Sequence, residues 1–256
     1  MKISVAVIEI HNDLELCCGT DIVVSDNIQI IQPTVRDIAL VGEKKYFGFC
    51  QDFTAHNLDD NMVVFLTDLG IDFNAITDWE LFVNLSFTFD QNIADLIFGN
   101  LDFTTMKPFN NENGELCLSN KDNVIITEDI YESLVGYVRK LNNIPIPQYT
   151  KILDNPTQKR MAIDTARRNI QSAIRREQFH PTRSVLLPII SSVVVYCHWT
   201  FDEVLDMKLF RFWEIVKRMQ ALDSANHLFT GLYSGCVSFK DNPSLKKDLD
   251  WMRELK

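Results

Sequence analysis

Six basic residues recur as adjacent pairs along one predicted helix, residues 157–178. The pairs are Lys159-Arg160, Arg167-Arg168 and Arg175-Arg176, spaced eight residues apart. Eight residues advance about 80° beyond two full turns of an α-helix, so the pairs wind slowly around it as one continuous strip, here called the basic ridge. Guanidinium and ammonium groups in such a strip bind carboxylates or phosphates. The ridge is therefore the candidate partner-binding site, and its targets are an acidic protein partner, the acidic half of a second copy, or nucleic acid.

Two interpretations compete with a protein-binding ridge. The first is a solvated helix whose basic residues pair with nearby acids, each pair contributing roughly 0–1 kcal/mol. The second is a nucleic-acid-binding accessory protein that uses helix 157–178. That helix has no aromatic residue to stack on bases, and the net charge of −10 opposes binding nucleic acid with the whole surface. We therefore prefer a protein partner over nucleic acid.

Signatures of catalysis are missing from the sequence. His180, His198 and His227 lie far apart, and no HExxH, HxxxH or CxxC spacing occurs. No GxSxG or GxxxxGK frame is present. We expect no enzyme activity, no metal site and no cofactor. The alternative is a metal-dependent enzyme that uses carboxylates of the acidic half, such as Asp59-Asp60.

Charge is distributed unevenly along the chain. Residues 1–150 hold 23 acidic and 8 basic residues, whereas residues 151–256 hold 12 acidic and 17 basic residues. The switch falls near Pro145, Pro147 and Pro156, which favour extended backbone in the residues before them. We predict an acidic α+β region at 1–144, a proline-containing connector at 145–156, and a mostly helical, net basic region at 157–256. The two regions can still pack as one unit.

Local patterns predict an α+β fold, with short strands and helices in the N-terminal part and a mostly helical C-terminal part. Strands are expected at 2–10 and 28–32 with a polar turn at 21–27, and a hairpin at 102–109 and 115–119 around an Asn-Gly turn, with a third short strand at 124–126. Helices are expected at 34–50 with a weak point at Gly42, 61–69, 77–87, 90–99, 127–141, 157–178, 183–198, 201–207, 209–222 and 245–254.

Composition favours an intracellular protein. The six cysteines are scattered apart from Cys17-Cys18, and we expect them to be reduced, mostly buried thiols. No signal-peptide pattern is visible, and no apolar run approaches the roughly 18–20 residues of a membrane span. We expect a cytoplasmic protein without a membrane partner.

Several short segments combine into a recognisable pattern: Ile31–Ile38 followed by Gly42-Glu43 and Tyr46, then Asp78–Leu81, Phe98-Gly99, Ser184–Ser192, Tyr233–Gly235 and Asp250-Trp251. The pattern resembles proteins of phages and prophages of Gram-positive bacteria. The resemblance implies a product of a tail-morphogenesis gene cluster, such as a tail assembly chaperone or a minor structural protein. It also implies a place in the host cytoplasm or the virion, and it implies no active-site residue.

Overall fold

The structure is a computed structural model that describes residues 13–25, 27–146, 155–179, 181, 183–236 and 245–253. Helices hold 63% of the described residues, and the strands form small antiparallel sheets in the N-terminal part. The predicted α+β fold, with its mostly helical C-terminal part, is therefore confirmed. The strand predicted at 2–10 and most of the predicted connector lie outside the described residues.

The elements follow one another in two groups. The N-terminal group comprises α1 (Asp13–Cys17), β1 (Ile22–Ser25), β2 (Ile28–Ile30), α2 (Val35–Val41), α3 (Glu43–Phe53), α4 (Asp60–Asp68), α5 (Asp78–Leu85), α6 (Gln91–Phe98), β3 (Lys107–Asn110), β4 (Leu116–Ser119), β5 (Ile125–Ile126) and α7 (Glu128–Asn142). The C-terminal group comprises α8 (Pro156–Phe179), α9 (Leu186–Cys197), α10 (Phe201–Leu205), α11 (Leu209–Tyr233) and α12 (Leu245–Leu249).

Capping boxes form the starts of two helices in the N-terminal part. In two capping boxes of the N-terminal part, Thr34 with Asp37 and Thr77 with Glu80, each threonine accepts from the backbone of the acid, and the acid accepts from the threonine N–H. Gly42 takes a φ of 97° and separates α2 from α3, so the weak point predicted there is a break.

The strands differ in part from the prediction. Ile22–Ser25 is strand β1, not a turn, because buried Ile22 and Val24 alternate with exposed Val23. Ile22, Val23 and Ser25 pair with β2, and the register shifts between Val23 and Ser25. The predicted hairpin is present as β3 and β4, and β5 adds the third strand. Its first strand begins only at Lys107, since Asp102 caps a 3-10 turn just before it.

Helix α11 is longer than predicted. The expected end at Leu222 was wrong, because Ala225 is fully buried and the helix continues to Tyr233. Gly235, with a φ of 75°, follows its last turn.

The main hydrophobic core is built around a cluster of aromatic rings. Phe53 of α3 is 1% exposed, and its ring centroid lies 4.8–6.1 Å from those of five other phenylalanines: Phe49, Phe82, Phe89, Phe98 and Phe103. Two of these contacts are edge-to-face, the arrangement that the ring quadrupoles favour. The cluster buries six of the chain's 17 phenylalanines.

The same buried core contains side chains from the C-terminal group of helices. Leu186 of α9, Val204 of α10 and Phe212 of α11 lie in one continuous cluster with Ile22 and Phe53. The two sequence regions therefore share buried apolar surface in the described residues. The predicted boundary at 145–156 stays a prediction.

Replacing Phe53 with alanine should lower the free energy of unfolding by about 3–5 kcal/mol, because the ring's contacts are lost and a cavity remains. Phe87→Ala is the matched control, since Phe87 is 66% exposed and its loss should change stability by no more than about 0.5 kcal/mol. Chemical denaturation of both variants measures the difference. Equal effects would contradict the central place of Phe53.

Candidate functional site

Helix α8, which carries the basic ridge, lies antiparallel along α4. Its one buried side chain in the described structure is Ala166, which is 1% exposed. Ala166 packs with Val63 and Leu66 of α4 and with half-buried Ile163 in a small hydrophobic cluster apart from the main core. Helix α8 is therefore held by a narrow contact, and most of its surface faces solvent.

Three polar contacts fix the direction and register of this packing. Lys159 Nζ lies 2.6 Å from Asp72 Oδ2, and Arg167 Nη2 lies 2.6 Å from Asp68 Oδ1. Asn169 Nδ2 donates to Asp60 Oδ2 at 2.9 Å. Residue numbers rise along α8 while those of the contacted aspartates fall, so the two helices are antiparallel. The last of these contacts joins Asn169 to Asp60, the first residue of α4.

The ion pair of Lys159 affects the titration of its partner. The hydrogen bond from Lys159, helped by the backbone N–H of Asn74, lowers the pKa of Asp72. A carboxyl group whose pKa is lower in the folded chain stabilises the fold above its ordinary pKa of about 3.9. That contribution is lost as pH falls through the lowered value, so acid weakens this end of the α8–α4 contact.

The structure divides the basic ridge into two parts. Lys159 and Arg167 are paired within the chain, as the solvated-helix interpretation expects. Arg168 bonds back to its own helix through Asp164 O and Thr165 Oγ1. Arg160, Arg175 and Arg176 are exposed and make no hydrogen bond or ion pair with any described residue. We call Arg160, Arg168, Arg175 and Arg176 the outward ridge.

The last turns of α8 add apolar surface to the outward ridge. Ile174 is 52% exposed and Phe179 is 78% exposed, on either side of Arg175 and Arg176. Phe179 was missed because the sequence prediction ended the helix at Gln178, whereas α8 ends at Phe179. The helix therefore does present an aromatic side chain beside its basic residues.

An acidic cleft forms a second polar surface that the sequence did not reveal. It is a cleft of about 370 Å³ whose lining contains Glu80, Glu115, Glu128 and Asp129 and no basic residue. Trp79 forms part of its wall, and its indole Nε1 donates to Leu116 O at 3.1 Å. The carboxylates come from α5, the hairpin and α7, so only the tertiary fold brings them together.

The segments that carried the phage resemblance join the two groups of helices. Arg36 Nη2 lies 2.9 Å from Asp202 Oδ1 of α10, and Arg36 Nε lies 2.6 Å from Oδ1 of Asp206, the C-cap of α10. Glu43 accepts at 2.6–3.1 Å from the Ser184 hydroxyl and from the backbone N–H groups of Val185 and Leu186 at the start of α9. These residues are structural contacts between the N-terminal part and the C-terminal helices.

Other predicted features can be placed only in part. Within the described ranges, no group of three His, Cys, Asp or Glu side chains could hold a metal ion. No helix in the part of the chain that the structure describes is long and apolar enough to cross a membrane. The six cysteines are free, but only Cys50 and Cys117 are buried, so the expectation of mostly buried thiols was wrong.

Comparison with known proteins finds a similarity in the C-terminal region. Residues 183–256 match a family model described as the YomV second domain, a family of phage and prophage type. The C-terminal region is similar to a phage-type domain. The match starts just before α9 and covers less than a third of the chain. No curated protein and no solved structure matches the chain. The phage resemblance is confirmed at this coarse level.

Glu43→Ala should lower the free energy of unfolding by about 1–2 kcal/mol, because it removes the acceptor for two N–H groups at the start of α9. Glu112→Ala, an exposed change in the hairpin turn, is the control and should be nearly neutral. Urea denaturation measures both. An unchanged midpoint for Glu43→Ala would show that this cap does not stabilise the junction.

Reversing the inward residues of the ridge should affect stability more than reversing their neighbours. Lys159→Glu with Arg167→Glu places carboxylates opposite Asp72 and Asp68 and should lower the free energy of unfolding by about 1–2 kcal/mol. Arg160→Glu with Arg168→Glu makes the same change in net charge on the outward side and should cost less than about 0.5 kcal/mol. Thermal melts at low salt compare the two double variants, and the reverse order would contradict the division of the ridge.

Proposed function

We propose that this chain is a non-enzymatic phage assembly or structural interaction protein, related to the tail, that binds an acidic protein partner through its outward ridge. The observation that carries the proposal is a set of arginines on an exposed helix that bond to no described residue, Arg160, Arg175 and Arg176. The similarity of residues 183–256 to a phage-type domain supports the phage context. The tail assignment comes from the sequence resemblance.

A protein partner suits the chemistry of the ridge. Arginine binds carboxylates through two parallel hydrogen bonds, and protein interfaces are enriched in arginine and aromatic residues. Arg175 and Arg176 lie beside exposed Ile174 and Phe179, so the end of α8 offers both charged and apolar contacts. The partner would therefore present carboxylates around an apolar or aromatic side chain.

Nucleic acid binding is the second candidate, and Phe179 is the observation that favours it. An exposed aromatic ring beside two arginines could stack on a base. The overall charge of −10 works against this reading. A metal-dependent enzyme of the acidic half remains the third alternative, and metal analysis of the purified protein addresses it directly.

Charge reversal in a phage that encodes this chain tests the proposal. Arg175→Glu with Arg176→Glu should lower the titre of infectious particles at least about tenfold, the effect of losing about 1.4 kcal/mol of binding if assembly follows occupancy. Electron microscopy should show heads without normal tails. Lys107→Glu with Lys247→Glu is the matched control, since both residues are exposed, lie off the ridge and change the charge equally.

Three results would contradict the proposal. Normal titre and normal tails in the ridge variant would remove the functional assignment of the ridge. Retention of DNA by the wild-type protein with steep salt dependence, lost in the ridge variant, would favour the nucleic-acid alternative. A stoichiometric divalent metal in the purified protein would favour the enzyme alternative.

A further inference from the structure

Opposite charges lie unneutralised on two surfaces of the same chain. Arg175 and Arg176 have no described partner, and Glu128 and Asp129 in the acidic cleft also form no side-chain bond to a described residue. The other two carboxylates of the cleft accept only from neutral groups, Thr77 for Glu80 and Asn111 for Glu115. The charge of neither surface is therefore balanced by a described residue.

The apolar side chains near these charges lie mainly on the side of α8. At the end of α8, exposed Ile174 and Phe179 flank the arginine pair. In the cleft, Leu116 is partly buried and Trp79 is only 4% exposed, so its lining is mainly carboxylate. Arginine–carboxylate pairs would therefore anchor the contact, with Ile174 and Phe179 packing at its edge.

We propose that the end of α8 docks against the acidic cleft of a second copy, so that the partner of the outward ridge is another molecule of this chain. The proposal rests on the proposed function, because it names the acidic partner assumed there. The cleft of about 370 Å³ receives side chains, since a helix with its side chains is about 10–12 Å wide. Every copy carries both surfaces, and the contact pairs two different patches.

Such a contact is heterologous, so an open complex has one free ridge at one end and one free cleft at the other. Heterologous contacts close into rings or continue as open chains, depending on the rotation between copies. Association should therefore increase with protein concentration beyond a dimer. Because arginine–carboxylate pairs at exposed sites are screened by ions, it should weaken as salt rises.

Two complementary charge reversals test the contact on the full chain. The ridge variant is Arg175→Glu with Arg176→Glu, and the cleft variant is Glu115→Lys with Glu128→Lys. Sedimentation and light scattering at low salt should show that wild type self-associates and that each variant alone weakens association at least tenfold. The controls Lys107→Glu with Lys247→Glu and Asp21→Lys with Asp122→Lys change the charge equally at exposed sites away from both surfaces and should associate like wild type.

Mixing the two variants gives the decisive result. The intact ridge of the cleft variant should bind the intact cleft of the ridge variant, and the reversed ridge should likewise bind the reversed cleft. The mixture should therefore associate more strongly than either variant alone. A chain that carries all four reversals should regain self-association. Wild type that stays monomeric at about 100 μM in low salt would overturn the proposal, as would variants that associate like wild type or a mixture that forms no complex.

The outcomes separate this inference from the proposed function. A monomeric wild type whose ridge variant still fails to make tails would leave the function standing and identify a different acidic partner. If wild type self-associates through the ridge and the ridge variant still makes normal tails, this inference would stand and the proposed function would be wrong. Thermal melts of every variant exclude unfolding as the cause of lost association.

Discussion

Hydrogen bonds from one short stretch, residues 31–43, connect the two groups of helices, and the rest of the architecture depends on them. The backbone N–H of Ile31 donates to Ile97 O of α6, while Pro33 O accepts from the N–H of Leu209 at the start of α11. The N–H of Val35 donates to Met207 O, and Glu43 satisfies the start of α9. Buried backbone groups must find partners, so this stretch fixes both groups around one core.

Against that well-connected body, α8 is held weakly. Its burial amounts to Ala166 and the partly buried residues beside it. Its three ion pairs, with Asp72, with Asp68 of α4 and with Lys44 of α3, involve partly exposed side chains. Exposed ion pairs contribute roughly 0–1 kcal/mol each. The strong contacts of the chain therefore lie in the aromatic core and the 31–43 stretch, and α8 is left with most of its surface available for binding.

Local chemistry made much of the fold predictable from sequence. The Thr77–Glu80 capping box and the Asn-Gly turn depend only on residues a few positions apart, so both structures can be predicted without knowing any tertiary contact. Features set by distant partners were not predictable. Glu43 caps a helix more than 140 residues away, and the acidic cleft joins Glu80 with Glu128 across the hairpin. Ile22–Ser25 became a strand only because β2 pairs with it.

The basic ridge shows what helical periodicity can and cannot predict about individual side chains. Neighbouring helical residues point about 100° apart, so an adjacent pair cannot face the same way. In each of the first two pairs one residue therefore reaches an aspartate at α4, Lys159 and Arg167, while its neighbour does not. The third pair lies beyond the contact with α4, which reaches Asp60 through Asn169, and the next residue, Glu177, pairs with Lys44 of α3. Arg175 and Arg176 themselves bond to no described residue, a property of the tertiary fold that no pattern in residues 157–178 encodes.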